Sequence, residues 1–151
     1  MQLTIGDVIF WKDFPYPRDG FIKPRWFIYL GRTGAFHTPA FLYLCTTTTQ
    51  LHHFELGGNR SNHALKRFDV RQFPLFEKDC VLDFDEDLHM IAETDLKRCG
   101  ALIEIKGRLD KNTMKNIFNQ FSRPGVVSRV ILRDIFDSFN RDEITGLKKP
   151  K

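Results

Sequence analysis

Apolar and polar positions alternate loosely through Asp7-Val8-Ile9-Phe10-Trp11-Lys12, a β-favouring stretch. Phe14-Pro15-Tyr16-Pro17-Arg18-Asp19-Gly20 then forces a loop. Arg25-Trp26-Phe27-Ile28-Tyr29-Leu30 is aromatic and β-branched, Gly31 to Pro39 supplies turn residues, and Ala40-Phe41-Leu42-Tyr43-Leu44-Cys45-Thr46 reads as a buried strand. These last two runs predict a hairpin. Gly57-Gly58-Asn59 marks another turn, and short strands are expected near Leu65–Val70, Cys80–Phe84, His89–Ala92 and Ala101–Lys106. Short strands at close spacing point to a small barrel rather than an open sheet.

The period changes at Asp110, a helix N-cap, after which Met114, Ile117, Phe118 and Phe121 recur at helical spacing. Arg123-Pro124-Gly125 ends that helix. Val127, Val130, Ile131, Ile135 and Phe139 then define a second amphipathic helix, which needs a surface on which to bury its stripe. The expected class is mainly β with C-terminal helices, an α+β chain. No repeat, low-complexity segment or linker divides it, so residues 1–151 read as one domain.

Composition narrows the field. With 151 residues and 42% hydrophobic content, the chain is long enough to bury a core without disulfide staples. Its apolar runs, such as Phe27-Ile28-Tyr29-Leu30, are too short to cross a bilayer. No membrane partner is expected. The first residues lack a basic region followed by a long apolar stretch, which with three widely spaced cysteines (Cys45, Cys80, Cys99) predicts reduced thiols in a cytoplasmic protein.

The net charge of +4 is a mild indication of a polyanionic partner, but its distribution says more. Arg18, Lys23, Arg25, Arg32, Arg60, Lys66, Arg67 and Arg71 gather in the early loop and the middle. Asp79, Asp83, Asp85, Glu86 and Asp87 form an acidic block, read as a solvated edge or a salt-bridged neighbour of the basic strip.

Candidate chemistry concentrates in the first fifty residues. Arg25 lies on the strand beside the one that ends in Thr46-Thr47-Thr48-Thr49. A guanidinium braces a phosphate and neutralises charge developing on it, and strand-end hydroxyls orient its oxygens. Phe14, Tyr16 and Trp26, interleaved with Arg18 and Lys23, have the makings of a surface that stacks unpaired bases beside phosphate-binding cations. The bland readings are an Arg25 that salt-bridges Asp7 or Asp13, and threonines that merely favour a strand. His52, His53 and His63 follow the threonines and offer acid–base groups near neutral pH. No Cys-x-x-Cys or His-x-x-x-His spacing supports a metal site, and no cofactor is expected.

Taken together, Gly6-Asp7-Val8-Ile9-Phe10 with its loop to Arg25, the strand closing in Thr46-Thr47, Phe76-Glu77-Lys78-Asp79-Cys80-Val81, and Gly107-Arg108-Leu109-Asp110 opening a helix resemble the PemK/MazF toxin family. The resemblance covers residues 3–122 and leaves 123–151 as an additional C-terminal helix and tail. It implies a small Src-homology-3-like β-barrel, a homodimer, and a metal-independent endoribonuclease of a toxin–antitoxin pair that cleaves single-stranded RNA. Arg25 matches the family's catalytic arginine, and the family's threonine maps onto Thr47 or Thr48, with Thr47 preferred. The chain departs from the family pattern at Arg25-Trp26, where Arg-Pro is usual, and in its early loop. The rival class is a catalytically silent barrel that binds RNA or a protein partner.

Overall fold

The computed structural model describes residues 1–151. Seven strands, β1 (Asp7–Trp11), β2 (Arg25–Arg32), β3 (Phe41–Thr48), β4 (Leu65–Phe68), β5 (Cys80–Asp83), β6 (His89–Ala92) and β7 (Ile103–Arg108), form one antiparallel sheet. Three helices complete the α+β fold: α1 (Glu93–Arg98), α2 (Lys111–Phe121) and α3 (Arg129–Arg141).

The expected hairpin is β2 and β3, which pair Trp26 with Thr47, Phe27 with Thr46 and Ile28 with Cys45. Strand order is β4-β5-β3-β2-β1-β7. The free edge of β3 is divided, its Phe41–Leu44 half pairing with β6 and Thr47–Thr48 with β5. The sheet is open. β4 and β7 end the strand order and do not pair, so the closed barrel expected from short strands is not formed.

Helix α2 begins at its expected cap, and α3 begins at Arg129, which leaves Val127 of the expected stripe before it. The Asp110 carboxylate accepts the Thr113 backbone N–H at 2.8 Å, and the Ser128 hydroxyl accepts that of Ile131 at 3.3 Å. Such caps satisfy donors that the first helical turn leaves orphaned. The short α1 was not foreseen, because six residues carry too little periodicity to register.

One core of 29 buried side chains joins Val8, Phe27, Leu44 and Leu82 of the sheet to Phe118 of α2 and Ile135 and Phe139 of α3. Residues 123–151 therefore share the core of the rest. Helix α3 is seated on β2 and β3 by polar contacts as well. Ser138 Oγ accepts the Arg32 N–H at 3.0 Å, and the Tyr43 hydroxyl donates to Asp134 at 2.6 Å. Gly31 makes that approach possible: a Cβ there would lie 2.6 Å from the Ser138 Cβ, and its φ of +141° is one that residues with side chains rarely adopt. None of the helices is long and apolar enough to cross a membrane.

Candidate active cleft

At the end of the sheet where β2 begins and β3 finishes, a cleft of about 490 Å³ opens between the early loop and the turns flanking β5. Arg25 and all four threonines line it, joined by Lys23, Trp26, Gln50, Arg60 and Glu86. The arginine and the hydroxyl cluster thus converge as their positions on neighbouring strands predict.

Arg25 is partly exposed, and its Nη2 donates to Asp19 at 2.8 Å. Asp19 also holds Lys23 at 2.8 Å and accepts the Phe21 backbone N–H. The Lys23 ammonium, that N–H and Arg25 keep the Asp19 carboxyl well below the usual range. Arg25 pairs with neither Asp7 nor Asp13. Asp7 is buried on β1 and accepts Arg108 Nε at 2.9 Å.

Register decides which threonine accompanies Arg25. Side chains of directly paired residues lie on one face, and faces alternate along a strand. Because Trp26 pairs with Thr47, Thr47 shares the face of Trp26, whereas Thr46 and Thr48 share that of Arg25. Thr46 and Thr48 thus stand with Arg25, while Thr47, which also lines the cleft, stands with Trp26. Thr47 is buried beside β5, whose Cys80 thiol burial pushes up to about 11. Thr46 Oγ1 donates to the Trp26 carbonyl at 3.1 Å, and Thr48 Oγ1 accepts the Gln50 N–H at 3.1 Å. The Thr48 hydroxyl keeps its proton free for a ligand oxygen.

The proposed stacking surface divides. Trp26 forms a wall of the cleft with Phe10, centroids 5.2 Å apart, and Phe76, at 6.3 Å, while the Lys106 ammonium lies over Phe10 and Trp26. Phe14 cannot take part. It is 1% exposed and packs against Trp11, Phe27 and His89, so it serves the core. Tyr16 is exposed but lies outside the cleft, its hydroxyl donating to Asp95 of α1 at 2.7 Å. Arg18 stands behind the cleft, donating to the carbonyls of Asp87 and Leu88.

The sequence reading missed Glu86. Its Oε1 lies 3.7 Å from Arg18 Nη1 and its Oε2 lies 4.0 Å from Arg60 Nη1, with Arg25 close enough to act on it electrostatically. Burial raises its pKa above the ordinary carboxylate value despite those arginines. A charge run in a sequence looks like a solvated edge. Here the Asp83–Glu86 turn directs one of its carboxylates into the cleft.

The other members of that run are structural. Buried Asp83 accepts His63 Nδ1 at 2.8 Å and the Asp85 N–H at 2.9 Å, and Asp85 accepts the Ala64 N–H at 2.7 Å. His63, Asp83 and Asp85 place ligand-type atoms within 4.8 Å of one another, but Arg60 at 3.5 Å from Asp83 already supplies positive charge there. His52 and His53 stack on each other in the turn after β3, and His53 reaches only Gln50. His89 packs against Phe14 and Phe27. Burial, with Arg18 and Arg25 nearby, lowers its pKa to about 4 and keeps the ring neutral at pH 7.

No family model, curated protein or solved structure matches the chain. The chemistry of the cleft must be read from its own residues. Cations for an anionic group, a hydroxyl donor, an aromatic wall and a carboxylate of raised pKa occupy one opening.

Proposed function

We propose that the protein is a metal-independent endoribonuclease that cleaves single-stranded RNA by attack of the 2′-hydroxyl on the adjacent phosphate. The observation that carries this reading is the meeting of Arg25, Thr48 and Glu86 in one cleft. Arg25 and Arg60 brace the phosphoryl oxygens and take up the charge that builds on them. The Thr48 hydroxyl donates to one of those oxygens. Glu86 accepts the 2′-hydroxyl proton as the O2′–P bond forms. A carboxylate of raised pKa is a better proton acceptor than an ordinary one. The P–O5′ bond breaks, and the departing 5′-oxygen takes its proton from water at the open mouth of the cleft. Trp26 stacks a base beside the scissile phosphate.

The PemK/MazF resemblance belongs to the same proposal, together with its Src-homology-3-like strand arrangement, its homodimer and a protein antitoxin. Exposed Phe21 and Ile22 on the loop beside the cleft support an apolar contact for such a peptide. The second reading, a silent binding module, draws on the Asp19 carboxylate that occupies Arg25. A short RNA with a single 2′-deoxy nucleotide at the mapped cut site separates them. Loss of cleavage at that bond alone supports internal attack, and undiminished cleavage there rules it out.

A further inference from the structure

Strand β2 has a basic residue at each end, and the second, Arg32, opens on a different cleft of about 390 Å³. Seven residue steps separate Arg32 from Arg25, roughly 23 Å along an extended strand. The two openings are therefore distinct. This one lies between β2, α1 and the C-terminal turn of α3.

Its base is Tyr29, only 5% exposed, whose side chain lines the cleft. The hydroxyls of Tyr16 and Tyr43 each donate to a carboxylate, whereas that of Tyr29 has no partner in the protein. The residue is buried, but its hydroxyl oxygen is not sealed off and opens on the cleft, where its proton is available to a ligand. Burial pushes this phenol up to about 12, with Arg32 and Arg141 acting in the opposite direction and Asp142 and Glu93 in the same one, so all four charges lie within electrostatic reach of it. It is protonated at neutral pH and is a donor.

The charges around the Tyr29 hydroxyl are incompletely matched. Glu93 is shared by Arg32 at 2.9 Å and Lys97 at 3.5 Å. Arg141 uses one Nη2 bond, to Ser138 Oγ at 3.0 Å, and Asp142 gives Oδ2 to the Ile5 N–H at 2.7 Å. Three cations thus face two carboxylates, and most of the Arg141 donors remain unspent. Leucines 3, 42 and 96 add an apolar wall.

We propose that this cleft is a second binding site, for the phosphate group of a small phosphate monoester whose organic part lies on the leucines. A phosphate presents three terminal oxygens in a tetrahedral array, enough acceptors for a phenol, two guanidinium groups and an ammonium. A carboxylate presents two, in one plane. The site does not depend on the ribonuclease reading.

The test is calorimetric titration of the full chain with phenyl phosphate, using benzoate as the carboxylate counterpart. It is run in an Arg25→Ala background to weaken the first cleft, and the substitutions at Tyr29 and Arg141 assign the binding to this one. Saturable binding of phenyl phosphate is expected, at least tenfold tighter than benzoate. Tyr29→Phe should weaken it several-fold and Arg141→Gln at least tenfold. In the chain with Arg25 intact, Tyr29→Phe should leave the melting temperature and any RNA cleavage unchanged. No saturable binding, binding indifferent to both substitutions, or benzoate binding as tightly as phenyl phosphate would each overturn the proposal. Failure of RNA cleavage would leave this site untouched.

Discussion

Replacing Gly31 with alanine tests how α3 is held on the sheet. The new Cβ would lie 2.6 Å from Ser138 Cβ and 2.7 Å from its Oγ, distances that real atoms do not tolerate. Ser138 is buried and bound to both Arg32 and Asp134, so it cannot swing aside. Forcing extra atoms into a packed contact costs about 1–3 kcal/mol, and holding a side-chain-bearing residue at a φ of +141° costs about the same again. Together they amount to about 2–6 kcal/mol, which for a chain of this size lowers the melting temperature by roughly 5–20 °C. Thermal unfolding followed by circular dichroism measures it. The companion variant is Ser138→Gly, which removes the atoms that clash. Its combination with Gly31→Ala should recover the steric part alone, giving a favourable coupling of about 1–3 kcal/mol in the double-mutant cycle. A Gly31→Ala protein that melts within 2 °C of the parent, on the order of the change expected from ~1 kcal/mol or less, would refute the close packing of α3 on β2.

Three further outcomes follow from the cleft. Glu86→Gln should lower the cleavage rate by about 10²–10⁴ while leaving thermal stability unchanged or improved, since burial disfavours the charge it removes; a wild-type rate refutes the proton-accepting role. Because the pKa of Glu86 is raised, cleavage should fall on the acid side at a pH above 4.5, and a rate constant down to that pH refutes it. Asp19→Asn should free Arg25 and Lys23 and lower KM for RNA several-fold with kcat unchanged, and an unaltered KM contradicts the competition between carboxylate and phosphate. His89 is the pH-sensitive element of the fold. With a folded pKa of about 4 against an ordinary 6.5, it binds its proton more readily in the unfolded chain, so its stabilisation is complete above pH 6.5 and lost as pH falls toward 4. His89→Gln should flatten stability across that window, which urea titrations at pH 7, 5.5 and 4 would reveal, and an unchanged profile would refute it.

The sequence is most legible where a local signal and a tertiary requirement coincide. Asp110 announces its helix because a cap is a contact between neighbours in the chain, and the stripe of Met114, Ile117, Phe118 and Phe121 follows from helical geometry alone. Arg25 and the threonines are brought together because a hairpin joins consecutive strands. Less could be read of Phe14, since an aromatic residue in a Pro-rich loop has the same sequence signature whether it faces solvent or turns inward against Trp11. The threonine face hinges on a one-residue register, which four identical residues cannot encode. Glu86 enters the cleft through a turn that also carries Asp83 into the core beside Arg60, residues brought together only by the pairing of β4 with β5. Closure of the sheet is a property of its edges, and β4 and β7 are too far apart in sequence for any local pattern to specify their relation.

The most direct test of the central claim is incubation of a long single-stranded RNA with the purified protein in excess EDTA, beside Arg25→Ala, with the cut ends mapped. The cleft described here predicts discrete cuts by the parent that leave 2′,3′-cyclic phosphate, and none by Arg25→Ala. Intact RNA with the folded parent, or equal cutting by both proteins, would contradict it.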